Sequence, residues 1–524
     1  MKKLLLVFLL IFMSLVSNAQ LKEGVFRIAG GGGETYAASM IQTTDGGYAI
    51  TGWTSSYGAG SWDVYMVKLD SYFNIEWTKT IGGNNIDVGN SITQTSDGGY
   101  VIVGYTGSYG AGNYDVYLIK LDSIGNVKWT RTVGGTGYDY GNSVVQAKDG
   151  GLVISGYTGS FGAGSYDVYV VKLDSVGNLK WTKTIGGTGD DEGNSITLTK
   201  DGGYAITGGT QSFGAGKEDV YVVKLDSLGN LKWTKTIGGT GDDAGNAIIQ
   251  TNDNGYAITG QSDSYVGGGL DEYIVKLDST SNLKYAKAIG NGYEEGNSIV
   301  QTLSGSIVSV GYTSEYTYST GSSNAAYIVE LDTSGNLAST EAIAVEYYTQ
   351  GNSIVQTKDK GFAIAGTSIF GSDILMFKLD VGFNICVPTG VGGSIVSGGS
   401  VSSGGIVGTG GTITSKDSGR VSSGGTDSSL CSVLGINNIR PPENDVRIYP
   451  NPSNGVFSIQ LKGNSEKLKI EVYNVLGEQV YSQFTINNAQ FTIDLGVQPS
   501  DIYLYRITSE KGEYVASGKF VIQK

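Results

Sequence analysis

Gly141-Asn142-Ser143-Val144-Val145-Gln146-Ala147-Lys148-Asp149-Gly150-Gly151, continuing through Asp167-Val168-Tyr169 to Lys172-Leu173-Asp174 and Trp181, is one copy of a unit that the chain repeats. The Lys-Leu-Asp triplet ends at Asp70, Asp122, Asp174, Asp226 and Asp278, each 52 residues from the last, and recurs as Glu330-Leu331-Asp332 and Lys378-Leu379-Asp380. The Gly-Asn-Ser element keeps the same count at Asn90, Asn142, Asn194, Asn246, Asn297 and Asn352, with a degenerate copy at Ala38. Seven copies of one supersecondary unit decide the fold class.

Within the copy, Asn142 to Gln146 reads as a short strand, Asp149-Gly150-Gly151 as a tight turn, and Leu152 to Thr158 as a second strand. A Gly-rich loop leads to Asp167–Leu173, which is apolar on both alternating faces and therefore needs cover on both. After Ser175-Val176-Gly177-Asn178, the segment from Leu179 to Ile185 alternates apolar with polar, as a half-buried outer strand does. Four antiparallel strands with their turns fill a propeller blade, and stacked neighbours supply the cover that the third strand demands. The expectation is an all-β chain: a seven-bladed β-propeller over 20–387, a Gly/Ser-rich linker over 388–436, and a small β-sandwich over 437–524.

The last copy has only a reduced fourth strand, Phe383 to Val387, without a Trp. The segment Leu21-Lys22-Glu23-Gly24-Val25-Phe26-Arg27-Ile28-Ala29 aligns with the outer strand beginning at Leu231. Residues 21–29 are therefore expected to complete the last blade and leave no sheet edge open.

Composition narrows the chemistry. Histidine is absent, which removes Ser/His/Asp and Cys/His nucleophiles and His-ligated metal sites. The net charge of −14 repels phosphate backbones, so nucleic acid is not an expected partner. Lys2 and Lys3, the apolar run from Leu4 to Val16, and the small residues Ser17 and Ala19 read as a signal peptide over 1–19. No later apolar run is long enough to cross a membrane. Cys386 and Cys431 either remain free thiols or form one disulfide, which would close a loop worth roughly 4 kcal/mol. The stretch between them is nearly all Gly, Ser, Thr and Val, the composition of a flexible linker; its recurring Val and Ile leave open a small β-ribbon.

Beyond Asn437 alternation returns, at Val456 to Leu461, Leu468 to Val475, Gln490 to Leu495, Ile502 to Thr508 and Tyr514 to Ile522. Tyr449-Pro450-Asn451-Pro452-Ser453-Asn454-Gly455, then Val472-Tyr473-Asn474-Val475-Leu476-Gly477, then Ile502-Tyr503-Leu504-Tyr505, and Lys519-Phe520-Val521-Ile522-Gln523-Lys524 follow in order. Over 443–524 this resembles the C-terminal sorting domain of the type IX (Por) secretion system, with Tyr449, Pro450, Asn451, Pro452, Gly455, Gly477 and Lys524 matching its motifs. One departure is Asp501, where that family usually has Gly. The resemblance implies a Bacteroidetes-type protein that engages the type IX secretion machinery and is carried across the outer membrane, then released or held at the cell surface.

The repeated Asp-Gly-Gly turns look like metal or phosphate loops but read first as hairpin turns. The run from Lys120 to Trp129 and its copies resemble the tryptophan-docking repeat of quinoprotein propellers, which implies a packing role for Trp77, Trp129, Trp181 and Trp233. On one face of a propeller, the loops after second strands share space with the connections between blades. The first set presents Tyr57, Trp62, Tyr109, Tyr114, Phe161, Tyr166, Phe213 and Tyr265. The second presents Asp87, Asp139, Asp190, Asp191, Asp242, Asp243, Glu294 and Glu295, with Asp190, Asp191, Asp242 and Asp243 the candidate metal ligands. Rings beside carboxylates can stack on sugars, and clustered carboxylates can hold Ca²⁺; equally, the rings can pack on neighbouring loops and the acids serve solvated turns. No other cofactor is expected. Two functions follow: a secreted, non-catalytic module that binds a glycan or protein, or a secreted, endoglucanase-like glycoside hydrolase using two of the carboxylates. Near-identity of the copies counts against the second, and no catalytic residue is assigned.

Overall fold

The computed structural model describes residues 25–29 and 33–383 apart from 266–268, 291, 319–320, 345–348 and 369–372. It also describes short strands between 394 and 429 and most of 446–524. The signal peptide, Cys386, Cys431, Pro450, Asn451, Pro452 and Gly477 lie outside the described residues. The chain divides into a unit over 1–433 and another over 434–524.

The first unit is built from repeated four-stranded antiparallel sheets. The third copy is typical, with strands Asp139–Gln146, Leu152–Thr158, Asp167–Leu173 and Leu179–Gly186. Every residue of Asp167–Leu173 is buried, which fulfils the requirement for cover on both faces. Seven such sheets are present among the described residues. The first strand of each contacts the first strand of the next, and that of the seventh, Thr349–Gln356, contacts that of the first, Thr35–Gln42. The fourth strand of the seventh sheet is Val25–Ala29, which pairs antiparallel with Asp373–Leu379, Val25 opposite Phe377 and Ala29 opposite Asp373. The two ends of the repeat array are thereby joined in one sheet, as the alignment with Leu231 requires.

Each sequence motif has a physical reason. The Gly-Asn-Ser element is a β-bulge, with register shifting between Gly141 and Ser143; a bulge re-aims a side chain. It aims the asparagine at the neighbouring sheet. Asn90 donates through Nδ2 to Gly141 O at 3.0 Å, Asn142 to Gly193 O at 3.3 Å, and Asn352 to Ala37 O at 2.7 Å, bringing the last sheet back to the first. The Asp-Gly-Gly and Lys-Leu-Asp motifs are partners: Lys172 Nζ lies 2.7 Å from Asp149, and Lys120, Lys224 and Lys276 repeat the pair with Asp97, Asp201 and Asp253. The turn aspartates are thus structural. Gly177 has φ +85 and would press an added Cβ to 3.0 Å from Trp129. Only glycine suits that backbone, and the tryptophan of one sheet seats on the last turn of the next.

The Gly/Ser-rich stretch departs from the expectation of a free linker or a cysteine-pinned ribbon. Its strands Ser394–Ser397, Ser400–Ser402, Ile406–Gly408, Thr412–Ile413, Arg420–Ser422 and Thr426–Ser429 pair antiparallel with the outer strands of the fifth, fourth, third, second, first and seventh sheets in that order. Ile395 stands opposite Ile289, Val401 opposite Ile237, Val407 opposite Ile185 and Val421 opposite Ile81. The recurrence of Val and Ile in this stretch therefore matches the succession of sheet edges, and edge backbone groups gain partners.

The second unit has a three-stranded sheet of Val446–Tyr449, Val456–Leu461 and Gln490–Asp494, and a four-stranded sheet of Gln479–Phe484, Leu468–Tyr473, Asp501–Ser509 and Tyr514–Ile522. Phe457, Ile493 and Leu495 from one meet Ile470, Val472, Tyr503, Ile507 and Phe520 from the other in one core. Gly455 takes φ +108, and Lys524 Nζ donates to Gly496 O at 2.6 Å.

Candidate functional site

The loops after second strands and the connections between sheets do share one face. Backbone bridges join Trp62 to Ile86, Tyr114 to Tyr138, and Glu218 to Asp242. On that face the eight predicted rings separate into two groups. Tyr57, Tyr109, Phe161, Phe213 and Tyr265 turn inward: they stack on the third-strand tyrosines Tyr65, Tyr117, Tyr169, Tyr221 and Tyr273, with centroids 5.6–6.1 Å apart, and join the cores between sheets. The Gly-rich loop reverses after the ring and lays it back on its own sheet, so these five are packing residues.

Trp62, Tyr114 and Tyr166 remain part-exposed and are joined by rings the loop reading missed. Trp62 stacks on Trp53 at 4.3 Å, and Trp53 on Tyr36 at 5.8 Å. Tyr140 lies 4.8 Å from Tyr105, 5.7 Å from Tyr114, 6.4 Å from Tyr138 and 4.6 Å from Tyr157, which meets Tyr166 at 5.2 Å. The result is a shelf of rings over the first three sheets.

At the fourth sheet the chemistry changes. Where other copies carry Trp53, Tyr105 or Tyr157, it has Gly209; an added Cβ there would sit 1.7 Å from Glu218 Oε1. Glu218 occupies the ring position of Tyr114 and Tyr166, and Glu192 that of Tyr140. Burial, then the neighbouring Glu192, Asp242 and Asp190, push the Glu218 carboxyl up to about 7. Burial and Asp190 likewise raise Glu192, and burial, followed by the charge of Glu192, raises Tyr157. At the sixth sheet, Glu295 accepts from Asn246 Nδ2 at 2.8 Å beside the stacked Tyr293 and Tyr312.

The four aspartates proposed for a metal do not form one centre. Strand alternation sends neighbours to opposite sides. Asp191 and Asp243 are wholly buried, accepting from Gly187 N and Gly239 N and from Ser212 and Ser264, while Asp190 and Asp242 stay at the surface, Asp242 beside Lys217 at 3.4 Å. No group of three or more acidic or sulfur ligands converges among the described residues.

Burial instead pairs carboxylates across neighbouring sheets: Asp63 with Asp87, Asp115 with Asp139, Asp167 with Asp191, Asp219 with Asp243, and Asp271 with Glu294, each pair pressing on one glycine between them. Burial, and then the partner's charge, raise Asp115 and Asp271 to about 6; Glu272, wholly buried, rises to about 7 from burial above all. A group whose pKa is raised by folding contributes stability that is complete below its unfolded value and is lost as pH rises through the folded one. The turn aspartates act oppositely: burial raises them, but hydrogen bonds from Thr43 and Lys68 outweigh it at Asp45, which falls to about 2, so their contribution is lost only in strong acid. In chelator, the melting temperature is therefore expected to fall as pH rises from about 5 to about 8; a flat or rising profile by calorimetry would contradict this.

Comparison with known proteins adds the following. Residues 447–523 match the family described as secretion system C-terminal sorting domain. That domain indicates export across the outer membrane to the cell surface or extracellular space, and engagement with the type IX secretion machinery. No helix among the described residues is long and apolar enough to cross a membrane. The regulatory protein FlaEY of Caulobacter vibrioides is 26% identical over 171 residues, covering 28% of this chain and 18% of its own. The chain thus spans less than a fifth of that relative. Among solved structures, PorZ, an essential surface component of the type IX secretion system of Porphyromonas gingivalis, is 10% identical, with a TM-score of 0.37 over 91% of this chain and 58% of its own. A puromycin hydrolase is 12% identical, with a TM-score of 0.40 over 82% and 59%. At those scores neither likeness bears on what this chain does.

Proposed function

We propose that the seven sheets form a closed seven-bladed propeller that acts outside the cell as a glycan-binding module, with the ring shelf of its first three blades as the binding surface. Closure is supported by the bond from Asn352 to Ala37 and by the pairing of Val25–Ala29 with the last sheet. The observation that carries the function is where the copies differ. Blade interiors are nearly identical, yet the positions of Tyr140, Tyr157 and Tyr166 become Glu192, Gly209 and Glu218 one copy later and Ala244, Gln261 and Leu270 after that. Packing alone gives no reason for such variation at the rim. Exposed rings stack on the apolar faces of sugars, and adjoining carboxylates accept from hydroxyls.

The exported chain passed over a polysaccharide panel is expected to be retained by at least one polymer without releasing reducing sugar. Failure to be retained by any of them would sink the binding reading. A second reading, a glycoside hydrolase, is favoured by one observation: Glu192 and Glu218 are neighbouring carboxylates with raised pKa values, the pattern of an acid beside a second carboxylate. Reducing-sugar release that Glu218→Gln abolishes would establish it in place of the first.

A further inference from the structure

The pair Asp115 and Asp139 illustrates an arrangement the binding surface does not use. Both side chains are 0% exposed. A Cβ built on Gly134 would fall 2.2 Å from Asp115 Oδ1 and 2.6 Å from Asp139 Oδ2, so the two oxygens converge on one spot between the second and third sheets. Asp139 accepts from Gly135 N at 2.7 Å, Ser160 Oγ at 2.6 Å and Thr158 Oγ1. Asp115 is half satisfied: Oδ2 accepts from Ala111 N at 2.9 Å and Gly112 N at 3.4 Å, but Oδ1, aimed at the partner carboxylate, has no hydrogen-bond partner. The equivalent oxygen is orphaned again at Asp63, whose Oδ1 converges with Asp87 Oδ2 on Gly82 between the first and second sheets.

A buried carboxylate oxygen facing another carboxylate and lacking a donor is costly unless a positive charge lies between them. The buried third-strand lysines of these sheets, Lys120 and Lys172, are committed to turn aspartates. With neither histidine nor cysteine in the repeats, a cation here would meet oxygen donors.

We infer that each of these two buried carboxylate pairs binds one hard cation, Ca²⁺ by preference, which staples the first sheet to the second and the second to the third. All-oxygen donor sets select hard cations over zinc or copper, and the repetition of the orphaned oxygen between sheets ties the site to the fold instead of to the rim.

The test is calcium content after loading and exhaustive dialysis at neutral pH, with melting temperature read alongside. The wild-type chain is expected to retain about two equivalents and to melt higher with Ca²⁺ than in chelator. Asp115→Asn, which preserves shape, is expected to retain one equivalent fewer, and Asp63→Asn serves equally if the first variant does not fold. Glu34→Gln, on an exposed carboxylate, is expected to match wild type. Loss of metal on dialysis without a melting shift would overturn the inference, leaving a shared proton in each pair. So would an equal loss in Glu34→Gln, or undiminished content in both Asn variants.

Discussion

Deleting Val25–Ala29 is expected to lower the melting temperature by about 10 °C or more, or to abolish a single cooperative transition. Those residues hydrogen-bond along Asp373–Phe377 on one side and along Thr426–Ser429 on the other. Without them the third strand of the seventh sheet becomes an edge, although Ile374, Leu375, Met376 and Phe377 are 0–1% exposed. Each such side chain loses roughly 1.5–3 kcal/mol when brought fully to water, and the open edge is a template for pairing with other chains. Arg27→Pro is a milder version: it removes one donor from the middle of a strand flanked on both sides and leaves a ladder acceptor unpaired, at a cost of about 1–3 kcal/mol. Calorimetry would detect either. Adding a peptide spanning residues 21–33 to the truncated chain should recover much of the lost stability, because the partner strands remain in place. An unchanged melting curve in the truncated chain would show that the last sheet needs no strand from the other end.

Much of this architecture is legible from residues because the repeat states it seven times. A strand apolar on both faces, Asp167–Leu173, has to be enclosed, and it is. A one-dimensional pattern cannot report a reversal of the chain. Tyr109 and Tyr114 lie five residues apart in one Gly-rich loop and look equivalent, yet the first packs on Tyr117 and the second faces the shelf. The sequence did hold a discriminating signal. The position of Tyr109 is aromatic in every well-kept copy, as Tyr57, Phe161, Phe213 and Tyr265, whereas that of Tyr114 varies from Trp62 to Tyr166, Glu218 and Leu270. In an array of near-copies, constancy marks packing and variation marks positions that packing leaves free. The Gly/Ser stretch misled for another reason: its composition is that of a disordered chain, and its role rests on spacing, with Val401, Val407, Ile413 and Val421 each meeting a successive edge.

The same contrast makes the shelf testable. Tyr140 touches four other rings, so Tyr140→Ala removes the centre of the surface and loosens what surrounds it. Its loss is expected to weaken binding to a retained polysaccharide by about tenfold to a hundredfold, which is roughly 1.4–2.8 kcal/mol, while the melting temperature moves little because Tyr140 belongs to neither of the cores that flank the third sheet. Phe161→Ala should do the reverse. That ring fills a core between the second and third sheets, so truncation is expected to cost about 2 kcal/mol or more of stability and leave affinity within a factor of about two. Affinity electrophoresis and calorimetry on the two variants give four readings, and only a crossed pattern fits the division of rings proposed here. If both variants lost binding in proportion to stability, the shelf would be an extension of the core, and the ligand surface would have to be sought at Glu192 and Glu218, where the fourth sheet exchanges rings for carboxylates.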